Sequence, residues 1–172
     1  MEGYLRFRQK CKEWQEAHES LLRKITSFQS QVESMRAKLA TAAEDGGALN
    51  RSMDPFFVEE LFESIQESPP KLEAILQDMY AIYNETRDAQ EEGQAIAPCT
   101  RRDYIGFIGI ELDMYEAEYQ HAECLVKLLR FDTPSNVWNT YITSLSTQPF
   151  LDIDVICDIT EKHNFSYRNR AT

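Results

Sequence analysis

The chain has 172 residues, of which 42% are hydrophobic and 27% are charged, and its formal net charge is −11. This length favours a single domain with a substantial core. The acidic surplus repels phosphate backbones, so no nucleic-acid partner is expected. No stretch approaches the roughly 18 apolar residues of a membrane-spanning helix, so no membrane partner is expected either.

The charge is unevenly distributed along the chain, with a net of +3 over 1–40, −10 over 41–100 and −4 over 101–172. The first residues carry no apolar stretch behind a basic start, so no secretory signal is expected. The four cysteines form no C-x-x-C pair, and we interpret them as reduced thiols. These features predict an intracellular protein.

The first predicted helix covers about 4–43, because apolar side chains recur there at alternating spacings of three and four residues. These seam positions are Tyr4, Phe7, Cys11, Trp14, His18, Leu21, Ile25, Phe28, Val32, Met35, Leu39 and Ala42. So long a helix needs packing partners to be stable in water. His18 is interpreted as a core or interface histidine.

The second predicted helix covers about 54–92, with a kink or short break at 69–70 where Pro69 and Pro70 interrupt the pattern. Ser68 is predicted to cap the restart. The third predicted helix covers about 101–130, with Thr100 as its cap. Its apolar row is Ile105, Ile108, Leu112, Tyr115, Tyr119, Ala122, Val126 and Leu129.

Short helices are predicted after this point, one opened by the cap-like pair Thr133-Pro134 and one over about 152–162. There is no alternating strand pattern, so the predicted fold is all-α, an antiparallel bundle of three long helices with short C-terminal helices. The apolar rows of the first and third long helices are expected to face each other within the chain. The domain is predicted to cover 1–163, with a flexible tail at 164–172.

No metal, cofactor or catalytic group is predicted. A single Glu-x-x-His motif, Glu118 to His121, lies in the third long helix, whereas a carboxylate-bridged di-metal bundle needs two such motifs and two further glutamates. The acidic residues fall on positions predicted to face water, so we expect no buried carboxylate. There is also no G-x-S-x-G turn and no phosphate-binding glycine loop. A small helical metalloenzyme is the least favoured alternative.

Aromatic residues near short elements and prolines are the candidates for a partner surface, because such rings are enriched at interface hot spots. The candidate residues are Trp138, Tyr141, Gln148, Pro149 and Phe150. Since the seam is expected to be used inside the bundle, the search for a partner falls on the back of the first helix and on this turn.

The second half of the chain resembles the cyclin-dependent-kinase-2-interacting protein family, most strongly over 100–152. The matching residues are Thr100, Tyr104, Leu112, Met114, Tyr115, Glu118, Tyr141, Leu145 and the run Gln148-Pro149-Phe150-Leu151-Asp152. The first helix, around Trp14, resembles the tryptophan-bearing first helix of that family. The architecture is also similar to that of the small ribosome-maturation factor that partners the same AAA+ ATPases.

The resemblance implies a non-enzymatic adaptor subunit of an AAA+ ATPase assembly, with a sister helical subunit as a partner and a link to a cyclin-dependent kinase. It implies roles in ribosome maturation or replication-linked protein turnover and in cell-cycle or checkpoint signalling, in the nucleus or the cytoplasm. The alternative is a coiled-coil structural subunit of a tether, kinetochore or cytoskeletal complex.

Overall fold

The structure is a computed structural model that describes residues 2–45, 55–89 and 99–168. These residues contain helices and no strand, which confirms the predicted all-α fold. The helices are α1 (Glu2–Asp45), α2 (Pro55–Gln66), α3 (Ser68–Asp88), α4 (Arg101–Leu128), α5 (Ser135–Thr147) and α6 (Ile153–Arg168). Residues 54 and 90–92 of the second predicted helix and the last part of the predicted tail, 169–172, lie outside the described residues.

The second predicted helix is two helices, α2 and α3, which run antiparallel to α1. Lys24 of α1 donates to the carbonyl of Ser64 at 2.7 Å, while Arg6, near the start of α1, pairs with Glu85 near the end of α3 at 2.8 Å. The later part of α1 therefore lies beside α2, and its beginning lies beside the end of α3.

α4 runs parallel to α1 and completes the third pass of the chain. The ring of Tyr4 lies 5.6 Å from that of Tyr104 at the start of α4. Further along, Trp14 makes an edge contact with Tyr115 at 5.1 Å between ring centroids. The seam of α1 and the apolar row of α4 therefore face each other within the chain, and the two helices run in the same direction.

α5 and α6 form the fourth pass, again antiparallel to α1. Trp138 of α5 lies 5.3 Å from Phe28, and His163 of α6 lies 4.9 Å from Tyr4. The path is therefore up, down, up and down, and each descending pass is divided into two helices.

The break between α2 and α3 lies at Glu67, upstream of the two prolines. Glu67 keeps near-helical dihedrals, φ −77° and ψ −11°, so the axis is interrupted without a wide turn. The restart at Ser68 places both prolines in the first turn of α3, where a missing N–H removes no helical hydrogen bond. The prediction that Ser68 caps α3 is wrong, because its hydroxyl donates to the carbonyl of Ser64 at 3.1 Å.

Two further cap predictions have opposite outcomes. Thr100 is confirmed as the cap of α4, since its hydroxyl accepts from the Asp103 amide while the Asp103 carboxylate accepts from the Thr100 amide. Thr133 is not the cap of α5. Its hydroxyl accepts from the Arg130 amide at 3.1 Å and closes the turn between α4 and α5 instead.

α6 is longer than predicted and includes residues 164–168, which were assigned to the tail. Ser166 is fully buried, and its hydroxyl accepts from the amide of Cys99 at 3.3 Å. His163 lies within 3.2 Å of the Tyr104 hydroxyl. These polar contacts hold the end of α6 on the bundle, although its sequence there has few aliphatic side chains.

The core follows the α1 seam from Tyr4 to Val32, where every seam residue is buried. Met35 is partly buried, and Leu39 is 53% exposed. Within the described residues, no helix is long and apolar enough to cross a bilayer.

Candidate interaction surface

The turn after α5 begins with a residue in a left-handed conformation. Gln148 has φ 44° and ψ 64° and is the sole non-glycine residue with positive φ among those described. This conformation costs a residue with a β-carbon about 1–2 kcal/mol. Tertiary contacts of the Gln148 side chain offset that cost.

A reciprocal amide pair joins the turn to α1. The side chain of Gln15 donates to the Gln148 carbonyl oxygen at 3.0 Å, and Gln148 donates back to Gln15 at 3.0 Å. The same Gln148 nitrogen lies 3.4 Å from Nδ1 of His18. An amide nitrogen is a donor, so Nδ1 acts as the acceptor and the proton of the neutral ring is on Nε2.

His18 is held in a dry environment beneath this turn. Only 2% of it is exposed, and its ring stacks on Trp14 with centroids 5.2 Å apart. Burial and, as a smaller contribution, the nearby His121 lower the pKa of His18 to about 4. The ring is therefore neutral at neutral pH, in agreement with the donor that faces Nδ1.

Glu118 of α4 joins the turn from the other side. Its side chain is fully buried, and its Oε2 accepts from the amide of Phe150 at 3.2 Å. Its Oε1 lies 3.2 Å from Nδ1 of His121, whose Nε2 is 2.9 Å from the Ser144 hydroxyl of α5. Oε1 is also 4.0 Å from Nε2 of His18. One carboxyl group thus connects α4, α5 and the turn, beside α1.

A second glutamate, Glu111, is buried one heptad earlier in α4. It pairs with Arg8 at 2.5 Å and accepts from the Tyr4 hydroxyl at 3.1 Å. Burial raises the pKa of the Glu111 carboxyl, and Arg8 and Tyr4 act in the opposite direction. The expectation of no buried carboxylate is therefore wrong at both positions. A signal was present in the sequence, since Tyr104, Ile108, Glu111, Tyr115, Glu118 and Ala122 form a regular row with spacings of three and four.

Exposed apolar side chains lie in the turn after α5 and at the start of α6. Pro149 is exposed, Phe150 is 48% exposed and Ile153 is 62% exposed. The Phe150 ring keeps an edge contact with His121, with centroids 5.5 Å apart. We call Pro149, Phe150 and Ile153 the turn surface.

The other predicted surface residues have different environments. Trp138 is completely buried and packs on Phe28, so its assignment to a partner surface is corrected. It faces the core because α5 packs against α1 in the fourth pass of the bundle. Tyr141 is partly buried against the core, and Gln148 is partly buried through its contacts with α1.

The Glu118–His121 motif is occupied by hydrogen bonds within the chain. Among the described residues, no group of three or more His, Cys, Asp or Glu side chains has an arrangement suited to a metal ion. Burial also raises the pKa of Cys11 to about 12, which keeps that thiol protonated. The chemical feature of this region is an exposed apolar surface on a backbone that polar contacts hold in place.

No protein-family model, curated protein or solved structure matches the chain.

Proposed function

We propose that the protein is a non-enzymatic adaptor subunit of a multiprotein complex and that it docks a partner through the turn surface. The observation that carries this proposal is the exposed apolar turn held by buried polar contacts. Gln148 is bonded to Gln15, and the Phe150 amide is bonded to the buried Glu118. The backbone beneath the exposed ring is therefore constrained from two helices.

A constrained apolar turn suits protein recognition because little conformational freedom is lost when a partner binds. Complete burial of an aromatic or aliphatic side chain contributes about 1.5–3 kcal/mol. Phe150 and Ile153 are each about half exposed or more, so both retain apolar area that a partner can cover. Rings of this kind are typical anchors at interfaces.

The proposed partner is an AAA+ ATPase, together with a sister helical subunit. This part of the proposal is supported by the resemblance over 100–152, which includes the turn. Roles in ribosome maturation or replication-linked protein turnover, a link to a cyclin-dependent kinase, and a nuclear or cytoplasmic location belong to the same proposal.

Affinity capture from cells at native salt, followed by mass spectrometry, tests the proposal. The full chain should recover an AAA+ ATPase, and Phe150→Ser should reduce that recovery about tenfold, the effect of losing one anchor of about 1.4 kcal/mol. Ile110→Ser is the matched control, because Ile110 is equally half-exposed, at 46%, but lies on α4 away from the turn. Absence of any AAA+ ATPase, or equal loss with both variants, would contradict the proposal.

The coiled-coil alternative requires a foreign helix along α1. The chain's own helices already cover the seam from Tyr4 to Val32, so such a helix could reach the seam only at the far end of α1, near Leu39. Cross-linking of purified complexes would detect a foreign helix paired along the whole seam, which is the result that alternative demands.

A further inference from the structure

The outward side of α6 carries a row of exposed residues at intervals of four. The row is Ile153, Cys157, Glu161 and Phe165. Residues four apart are neighbours on a helix surface, so three of the four members make an apolar strip with one acid in it. The opposite side of α6 is bound to the bundle through Ile159, His163 and Ser166, which are buried. We call the exposed members the outer row.

The outer row lies beside a surplus of negative charge. Residues 152–168 contain four acidic residues and two basic ones, and the basic residues, Lys162 and Arg168, lie near Glu161 and Phe165 towards the end of α6. Asp158 pairs with Lys162 at 2.5 Å, whereas Asp154 and Glu161 have no cationic partner among the described residues. A partner that covers this side of α6 would therefore have to satisfy two carboxylates as well as the apolar strip.

We propose that the outer row, continuous with the turn surface, docks a basic amphipathic helix of a protein partner. This inference rests on the proposed adaptor function and specifies the chemistry of the segment that is bound. Ile153 and Phe165 are twelve positions apart, or about 18 Å along the helix. A partner helix of three to four turns can lay an apolar stripe along it and direct Lys or Arg side chains to Asp154 and Glu161.

The same charges disfavour the other occupants. A second copy of α6 packed in parallel would bring Asp154 and Glu161 against their own equivalents, and such like-charge contacts are unfavourable. An antiparallel second copy is an outcome that the test distinguishes. Anionic lipid headgroups and nucleic-acid phosphates are repelled in the same way. A basic polypeptide has both the charge and the apolar face that this surface requires.

Fluorescence anisotropy with a labelled amphipathic peptide of leucine and lysine, about 14 residues long, tests the inference on the full chain. The wild-type protein should bind it, and binding should weaken as salt rises from about 50 to about 300 mM. Asp154→Lys combined with Glu161→Lys should weaken binding about tenfold or more, because attraction becomes repulsion.

The matched control is Glu60→Lys combined with Glu63→Lys, which changes the net charge equally at exposed positions on α2. This control should keep wild-type affinity, and a peptide with glutamate in place of lysine should not bind. Circular dichroism establishes that both double variants remain folded.

Three results would overturn the inference: no binding by the wild-type chain, equal effects of the two double variants, or equal binding of the acidic peptide. A dimer in light scattering that only the α6 variant dissociates would also overturn it, since a second copy would then be the occupant. The AAA+ ATPase capture could also be lost with Phe150→Ser but kept with Asp154→Lys combined with Glu161→Lys. That result would reject only the inference that the outer row binds a basic helix. The adaptor proposal would stand in that case.

Discussion

Glu118 is the residue on which the turn depends most, because its two carboxyl oxygens serve different partners. One accepts from the backbone of the turn at Phe150, and the other faces the His121 ring. A buried carboxyl group is costly unless such contacts satisfy it. Removing it would leave the Phe150 amide and His121 without their acceptor, so its role is to order the turn.

The neutral state of His18 predicts a specific pH dependence. Its pKa is about 4 in the folded protein, against 6.5 as the ordinary value. As pH falls through this range, the unfolded chain binds a proton that the folded state excludes, so the folded state loses stability. Between pH of about 7 and about 4.5, the free energy of unfolding should fall by about 2–3 kcal/mol through this group.

Urea unfolding across this pH range, with His18→Gln as the comparison, measures the effect. The variant should lack that part of the decline, whatever its stability at pH of about 7. His163→Gln removes a different buried histidine and serves as the control for titration elsewhere. Parallel pH profiles for the wild-type chain and His18→Gln would show that His18 does not exclude the proton.

The sequence indicates Gln148, Pro149 and Phe150 as candidates for a partner surface. It does not show which polar side chains hold this turn in place. Periodicity identifies which side of a helix is buried, but it does not show that a polar side chain finds partners there. For this reason Glu111 and Glu118 are predicted from the sequence to face water. Their burial depends on Arg8, Tyr4 and the turn backbone, which approach from distant parts of the chain.

At the scale of elements, the turn combines a helix end with a tertiary contact. Gln148 ends α5 in the left-handed region, where glycine is the usual residue. Glutamine is tolerated because its amide pairs with Gln15. A substitution series at this position can therefore separate backbone strain from the side-chain contact.

Gln148→Gly should be more stable than Gln148→Ala by about 1 kcal/mol, because both lose the amide pair but only alanine keeps the β-carbon strain. At Thr140, an exposed position inside α5, the order should reverse, with alanine about 1 kcal/mol more stable than glycine. Chemical unfolding of the four variants gives both differences. The same order at both positions would refute the strained conformation of Gln148.

Helix positions were predictable where apolar periodicity was strong, and less so where polar contacts hold the helix. α1 and α4 begin and end within a few residues of their predicted bounds. α6 was predicted too short because its last residues are held by Ser166 and His163 rather than by aliphatic side chains. The break between α2 and α3 lies at Glu67 because α3 then begins at Ser68, which places both prolines in its first turn.

At the scale of the whole molecule, the chain makes four passes around a core that uses most of the α1 seam. Both descending passes are divided, the first at Glu67 and the second at the turn after α5. The first division is close to helical, whereas the second projects apolar side chains outward. We therefore propose that a partner binds at the second division.

Hydrogen–deuterium exchange of the chain, alone and bound to the captured AAA+ ATPase, tests this account most directly. Exchange should be slower in the complex over residues 149–157 and should change little over α2. Slower exchange on α2 alone, with unchanged exchange over 149–157, would contradict the assignment of the partner site to the turn.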